Sequence, residues 1–294
     1  MTQRRTFLKQ AGLLSAGLVV AKPNMLFAAP ANLKVGLQLY TMREYIGKDP
    51  KGVIAKIAKA GYTELETFGY DTIKHQYWGY SAKDFAMLLA DNGIRTPSGH
   101  YGMDQYFGEG KDDDLKAYIE AAHAMGQNTI VVPYMNEKFR KTADDFKASA
   151  AKINKIAEIC KAHGLTTGYH NHNFEFMPID GTMLYDVLLK ETSHSLVHFE
   201  MDLYWVVRAG QDPIKWIKAH PGRFSMWHIK DMDKAKPELN TEVGSGSIDF
   251  KEIFEHKKLA GVKHIFMEQE NFGMDAYQSI TKSSGYIKNQ LLKV

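Results

Sequence analysis

The chain has 294 residues, of which 44% are hydrophobic and 24% are charged, and its formal net charge is +3. That length and apolar content suffice for one large domain with a buried core. Lysine and arginine form no long block along the chain, which argues against a nucleic-acid-binding surface and against docking on a membrane surface.

The first 29 residues resemble an export signal. Residues 2–9 hold the Arg4-Arg5 pair of a twin-arginine motif, an apolar run covers residues 11–21, and residues 27–29 offer a plausible cleavage point. The apolar run is too short to remain as a membrane-spanning helix. The segment has four basic residues and no acidic one, so its removal changes the net charge to −1. We expect an exported, periplasmic protein with residues 30–294 as its single domain and no membrane anchor after signal removal.

From Leu33 onward, short β-rich runs alternate with longer helical patterns, and eight such pairs can be counted. The predicted strands are residues 34–40, 63–68, 94–98, 129–133, 165–172, 196–202, 224–230 and 264–269. The glycines predicted to cap the preceding helices in a left-handed conformation are Gly61, Gly93, Gly126, Gly164 and Gly261. A Gly-x-Gly-x-x-Gly phosphate motif follows none of the strands, so the pattern favours an α/β domain folded as a (β/α)8 TIM barrel over an open doubly wound sheet.

Polar residues stand at the ends of the predicted strands, and in such a barrel these ends meet at one rim. Four consecutive strands end in His170, Asp202, His228 and Glu268. Each has an ordinary structural explanation, since an aspartate can cap a helix, a histidine can be a hydrogen-bonded core residue, and Glu268 can pair with Lys230. Together they predict a site for a divalent metal, because two imidazoles and two carboxylates suit Mn, Co, Fe, Zn or Ni better than calcium.

A metal at this rim can chelate a carbonyl and a neighbouring hydroxyl group, and so favour loss of the proton on the carbon between them. Such chemistry also needs an acid and a base, and burial can tune several side chains near the rim for either role. The predicted catalytic residues are His100, His172, Lys230 and Glu268. The predicted substrate contacts are Gln38, Tyr40, Glu66, Trp205 and Glu270, of which Glu66 and Glu270 are also acid or base candidates.

Aromatic residues are concentrated in the loops after the strands, including Phe68, Tyr70, Trp78, Tyr134 and Trp205. Their faces can stack on the C–H faces of a sugar ring while polar edges bond its hydroxyl groups. These loops therefore predict a carbohydrate-sized pocket. We expect about half of the rings to pack loops onto helices or to lie in a subunit interface, which is compatible with a homo-oligomer.

Two polar runs are predicted to lie outside the metal site. Asp112, Asp113 and Asp114 begin a helical pattern, where acidic residues favour the N-terminal end of the helix dipole. The Gly244-Ser245-Gly246 run is able to cradle a phosphate in principle. We interpret it as a loop that leads into a helix starting near Asp249.

Five runs of the chain together resemble the sugar phosphate isomerase/epimerase family of the xylose isomerase-like barrel superfamily. They are Tyr-His-Asn-His at 169–172, Asp-Leu-Tyr-Trp at 202–205 with Ala-Gly-Gln-Asp-Pro at 209–213, His-Ile-Lys-Asp at 228–231, Val-Gly-Ser-Gly-Ser-Ile-Asp-Phe at 243–250, and Met-Glu-Gln-Glu at 267–270. The resemblance implies a divalent metal, often manganese, bound by Glu, Asp, His and Glu from strands five to eight, with magnesium, cobalt, zinc, iron or nickel as alternatives. Asp202, His228 and Glu268 match three of these ligands, and His170 stands in the place of the first glutamate.

The replaced glutamate also removes a proton in the ketose epimerases of the family, which counts against an epimerase with two catalytic carboxylates. The resemblance implies an isomerase or epimerase that acts on a keto sugar or related polyol through an enediolate. A 3-keto-glycoside or inosose lyase or dehydratase is the alternative. Two further alternatives are a non-catalytic periplasmic sugar-binding protein and an abasic-site endonuclease, although Trp205 stands where those endonucleases have a ligating histidine.

Overall fold

The computed structural model describes residues 33–294, so the predicted export signal lies outside the described residues. Within that range, eight parallel strands pair in chain order and close when the first pairs with the eighth. The strands are Gly36–Gln38, Glu64–Thr67, Arg95–His100, Thr129–Val132, Thr166–His170, Val197–Asp202, Met226–Ile229 and His264–Met267. The predicted (β/α)8 barrel is confirmed.

Helices surround this barrel. The α-helices are Arg43–Ile46, Pro50–Lys59, Ala82–Asp91, Asp104–Glu109, Asp113–Met125, Ala143–Ala162, Leu184–Glu191, Leu203–Arg208, Pro213–Ala219, Phe250–Phe254, Lys257–Ala260 and Ala276–Tyr286. Shorter 3-10 turns cover Leu39–Met42, Glu137–Phe139 and Phe174–Phe176, and a π-helical turn covers Ile287–Leu291. In the part of the chain that the structure describes, no helix is long and apolar enough to cross a membrane.

The period-two alternation of the strands sets the position of the polar rim. Val131, Met226 and Phe266 form a separate buried cluster inside the barrel. A Cβ on Gly168 would lie 2.9 Å from the Met226 side chain, so glycine leaves room for this plug. The next inward position after Met226 is His228, because alternate residues of a strand face the same side. An apolar floor therefore lies directly beneath the polar residues.

The sequence predictions for the capping glycines and for the acidic run are confirmed. The five predicted capping glycines all have positive φ angles, between 70° and 94°. The acidic run begins the helix Asp113–Met125, where negative side chains interact favourably with the positive end of the helix dipole. The Gly244 and Gly246 N–H groups donate to Asp231 Oδ2 at 2.9 Å each. The chain's own carboxylate thus fills the cradle that a phosphate would need.

Candidate metal centre and active site

A cavity of about 510 Å³ opens at the carboxyl ends of the barrel strands, within the usual size range of small-molecule sites. Its lining consists of Tyr40, Phe68, Gly69, His100, Gly102, Pro133, Tyr134, His170, His172, Trp205, Glu268 and Glu270. Three of the predicted substrate contacts, Tyr40, Trp205 and Glu270, lie in this wall. The other two, Gln38 and Glu66, are fully buried beneath the cavity and do not line it.

The four residues predicted as metal ligands are all buried and offer ligand atoms within 4.8 Å of one another. His170 Nε2 lies 3.5 Å from Asp202 Oδ2, which in turn lies 3.8 Å from His228 Nδ1. The same His228 nitrogen lies 3.3 Å from Glu268 Oε2. We call His170, Asp202, His228 and Glu268 the rim set. Barrel topology thus brings together residues up to about a hundred positions apart in the chain.

Two atoms of the rim set have no hydrogen-bond partner among the described residues although they are buried: His170 Nε2 and Asp202 Oδ2. His170 Nδ1 lies 3.2 Å from the Pro133 carbonyl oxygen, which can only accept, so Nδ1 carries the ring hydrogen and Nε2 has the lone pair. Buried polar atoms are normally paired, and a ligating histidine typically anchors its other nitrogen in this way. The donor set therefore fits a divalent cation.

Asp202 has the structural role that the sequence offered and keeps one carboxylate oxygen available for the ligand role. Its Oδ1 accepts the Trp205 N–H at 3.0 Å and so caps the helix Leu203–Arg208. Its main chain is held by Asn171, whose side chain accepts from the Asp202 N–H at 3.1 Å and donates to the Asp202 carbonyl. These bonds fix the carboxylate, because they orient Oδ1 and leave Oδ2 directed toward the rim set.

The buried carboxylates in and around the rim set favour a positive charge between them. Burial alone would favour neutral His228, but the surrounding carboxylates, Glu200 first, outweigh it and raise the pKa of that histidine well above its usual value. Burial also opposes ionisation of Glu268, yet Lys230 and His228 hold the pKa of its carboxyl well below the usual range. A cation at His228 Nδ1 would take the place of the proton that the carboxylates stabilise there.

Lys230 lies under the cavity wall rather than in it. Its side chain is 1% exposed, and its Nζ pairs with Glu268 at 3.3 Å and with Glu270. Burial opposes its charge, but the nearby carboxylates, Glu268 first, outweigh this effect and raise its pKa. We therefore interpret Lys230 as the residue that positions two acidic side chains of the wall, and not as a group that reaches substrate.

A second set of side chains, buried except for the partly buried His100, lies below the rim and contains one residue that the sequence analysis missed, Glu200. Its members, Glu66, His100, Glu200 and His228, also offer ligand atoms within 4.8 Å of one another; we call them the deep set. Glu200 and Asp202 are two residues apart on one strand, so both face the barrel interior. That spacing is the signal from which Glu200 was predictable.

His172 occupies a different place from the one predicted for it. The fifth strand ends at His170, so the two histidines do not share a strand face, and His172 begins the following loop. Its ring stacks on Phe174 at 5.7 Å between centroids and lies 5.5 Å from Trp205. Burial lowers the pKa of His172 well below its usual value, and His170 adds to this effect. His172 is thus a neutral imidazole in the cavity wall.

Glu175 supports this loop from beneath. Its carboxylate accepts from the Tyr169 hydroxyl and from the His172 N–H, each at 2.8 Å. Burial raises the pKa of Glu175 to about 7. The folded protein therefore holds the proton of this carboxyl at pH values where the unfolded chain has released it.

We expect the Glu175→Gln variant to lose part of the pH dependence of stability. In the wild type, Glu175 favours folding fully below the unfolded pKa of 4.5, and this contribution is lost as the pH rises through about 7. Urea unfolding at pH 5 and pH 8 measures the difference, with Glu191→Gln on an exposed helix end as the control. An equal pH dependence in the wild type and the Glu175→Gln variant would contradict the assignment.

A closed parallel barrel with a polar rim over an apolar plug defines the class of (β/α)8 barrel enzymes that carry their active sites at the strand ends. The chain belongs to the xylose isomerase-like TIM barrel family, whose family model matches residues 54–289.

Relatives of the chain include proteins named for carbohydrate chemistry. An inosose dehydratase of Clostridium botulinum is 24% identical in an alignment 217 residues long that covers 62% of this chain and 71% of the relative. A crystal structure of a sugar phosphate isomerase/epimerase from Parabacteroides distasonis is 29% identical with a TM-score of 0.79, and the match covers 90% of this chain and 96% of that one. The IOLI protein, solved with a zinc atom, shares the fold at 15% identity, a TM-score of 0.70 and coverage of 88% and 98%.

Proposed function

We propose that this protein is a metal-dependent enzyme that removes a proton next to the carbonyl group of an uncharged sugar or cyclic polyol and then expels a hydroxyl group as water. The observation that carries the proposal is the arrangement of two unlike histidines, His100 and His172, both next to His170 of the rim set. Their rings lie 5.1 Å and 4.9 Å from the His170 ring.

The cavity suits a neutral substrate. Within residues 33–294, neither lysine nor arginine is among the residues that line it, and the two acidic side chains in the wall are Glu268 and Glu270. A phosphorylated substrate would place a dianion against these carboxylates without a lysine or arginine partner in the wall. Tyr40, Phe68, Tyr134 and Trp205 supply aromatic faces instead, as carbohydrate C–H groups require.

His100 has the properties of a general acid. Its Nε2 lies 2.7 Å from Glu200 Oε2 and 3.0 Å from Glu66 Oε2, which leaves Nδ1 as the ring nitrogen for a substrate in the cavity. Burial alone would lower its pKa, but the two carboxylates, Glu66 first, outweigh burial and raise the pKa to about 9. A protonated His100 is thus ready to donate to a departing hydroxyl group at neutral pH.

His172 has the complementary properties of a general base, because its buried imidazole is neutral and its Nδ1 accepts or donates no hydrogen bond among the described residues. Two groups whose pKa values are displaced in opposite directions are the expected mark of an acid–base pair. In the proposed step, His172 takes the proton of the α-carbon, the electrons of the C–H bond form the new double bond, and the β-hydroxyl group leaves as water with a proton from His100.

The metal would be held by the rim set, where it supplies a Lewis acid that polarises the substrate carbonyl. We propose manganese, which a set of two carboxylates and two imidazoles accommodates. The likeness to an inosose dehydratase supports the loss of water as the second step.

Isomerisation or epimerisation through the same first step is the second candidate, and the likeness to a sugar phosphate isomerase/epimerase favours it. It requires return of the proton to carbon, and an epimerase with two catalytic carboxylates would need an acid where this chain has His170. Burial, followed by the nearby His228 and His100, lowers the pKa of His170 to about 3, so this residue is neutral and anchored to Pro133. The rim set therefore favours the dehydratase.

Incubation of the purified protein with Mn²⁺ and an inosose or a 3-keto-glucoside in D₂O tests the proposal. From the inosose we expect a product lighter by one water, detected by mass spectrometry, together with a new conjugated carbonyl absorbance. From the 3-keto-glucoside, whose β-carbon carries the glycosidic oxygen in place of a hydroxyl group, we expect the same elimination to release the free alcohol instead of water. An isomer of unchanged mass that carries deuterium would support the second candidate instead. Absence of both product and deuterium uptake with either substrate would contradict the proposed chemistry and leave a sugar-binding protein.

A further inference from the structure

We propose that the deep set is a second metal site, separate from the rim set and linked to it through His228. The Nδ1 atom of His228 faces the rim set, whereas its Nε2 atom faces the deep set. Four ligand atoms converge there: Glu66 Oε2, His100 Nε2, Glu200 Oε2 and His228 Nε2. The ligand chemistry, two imidazoles and two carboxylates, is that of a divalent transition metal.

The spacing of these atoms matches the coordination shell of one small cation. Around the ring that they form, the four nitrogen–oxygen distances are 2.7, 3.0, 2.8 and 3.2 Å. A tetrahedral zinc site with bonds of about 2.0 Å holds its ligand atoms about 3.3 Å apart. Shifts of a few tenths of an ångström, well within the reach of side-chain rotations, would therefore open the ring to a metal.

The two carboxylates of the deep set are fully buried, since Glu66 and Glu200 are both 0% exposed, and His100 and His228 each lie within 3.2 Å of both. If His228 binds the rim metal of the proposed function, the deep metal would occupy its second ring nitrogen, and His228 would bridge the two ions as an imidazolate after release of its ring protons. Buried carboxylates are paired or bind metals, and the deep cation would be the partner of Glu66 and Glu200 in that state.

The surroundings orient the deep set as outer groups orient metal ligands. Glu66 accepts from Gln38 Nε2 at 2.7 Å and from Ser98 Oγ at 2.6 Å. Gln38 is itself held, since its Oε1 accepts the Tyr40 N–H at 3.0 Å. Glu200 Oε1, by contrast, is buried and has no partner among the described residues. This oxygen is therefore free to form a second bond from the Glu200 carboxylate to a metal.

A deep metal would change the form of His100 that acts as the acid. A cation at Nε2 would replace the hydrogen on that atom, and the metal, in place of the protonated ring, would then acidify the Nδ1–H group that is directed to the cavity. Metal binding and turnover are nevertheless separate measurements. Two bound ions without reaction would contradict only the proposed function, and turnover with one bound ion would contradict only the deep site.

Metal counting tests the deep site. The protein is stripped with a chelator, dialysed against Zn²⁺ and analysed by elemental mass spectrometry. We expect two ions per chain in the wild type and in the exposed control Glu191→Gln, and one ion in Glu200→Gln and in Asp202→Asn. One ion in the wild type, or two in Glu200→Gln, would overturn the proposal.

Crystals of the wild type give a second test that does not depend on a variant being folded. Anomalous scattering at the zinc absorption edge, after soaking in Zn²⁺, should show one peak between Asp202 and Glu268 and another between Glu66 and Glu200. The latter peak distinguishes the deep site from zinc bound at the surface. A peak at the rim set without one at the deep set would rule the second site out.

Discussion

The Asp202→Asn variant is expected to lose the rim metal and to have a kcat/KM lower by about 10³-fold, because Lewis-acid polarisation of a carbonyl contributes several kcal/mol and each ~1.4 kcal/mol is a factor of ten. Asparagine keeps the shape of the side chain and the oxygen that caps the helix Leu203–Arg208. It removes the charge of the carboxylate whose other oxygen is directed toward His170 and His228.

Asp212→Asn is the matched control for this variant. Asp212 caps the next helix, Pro213–Ala219, through a 2.8 Å bond from the Ile214 N–H, and it is not a member of the rim set. Metal content, thermal unfolding and dehydration kinetics should therefore remain at the wild-type level in the control. Full metal content and full activity in Asp202→Asn would contradict the assignment of the rim set as the catalytic metal centre.

The barrel and the rim set were predictable because both depend on short-range regularities of the sequence. Alternation of strand and helix patterns, with glycine caps between them, fixes the number of units and the direction of the chain. In a parallel barrel that direction brings every strand end to one rim. His170, Asp202, His228 and Glu268 could therefore be grouped from their places at strand ends, without knowledge of any distance.

Residues whose role depends on depth within the barrel were harder to place. Gln38 and Glu66 were expected at the substrate because they end their strands, but they lie one layer lower and hold the deep set. Glu200 was missed because it precedes a more conspicuous aspartate by two residues. His172 was assigned to the fifth strand, but that strand ends at His170. The position of His172 in the following loop depends on its packing against Phe174 and Trp205, and the period-two pattern of a strand carries no information about such packing.

The separation of His100 and His172 into acid and base predicts a difference between two glutamine variants. In His172→Gln, removal of the α-proton should slow by about 10²- to 10⁴-fold, the usual contribution of a general base. Both deuterium uptake and loss of water should fall together. In His100→Gln, loss of water should slow by a similar factor, whereas deuterium uptake continues because the base remains.

The distinction follows from the surroundings of each ring rather than from the residue type. His100 is held by Glu200 and Glu66, which stabilise its positive charge. His172 is buried, and burial first and the neighbouring His170 second disfavour a positive charge on its ring. Isotope uptake and product formation, followed in the same D₂O reaction, measure the two steps separately, with the exposed His163→Gln as the control. If deuterium uptake falls equally in both variants, the two histidines act in one step and the assignment of separate roles is wrong.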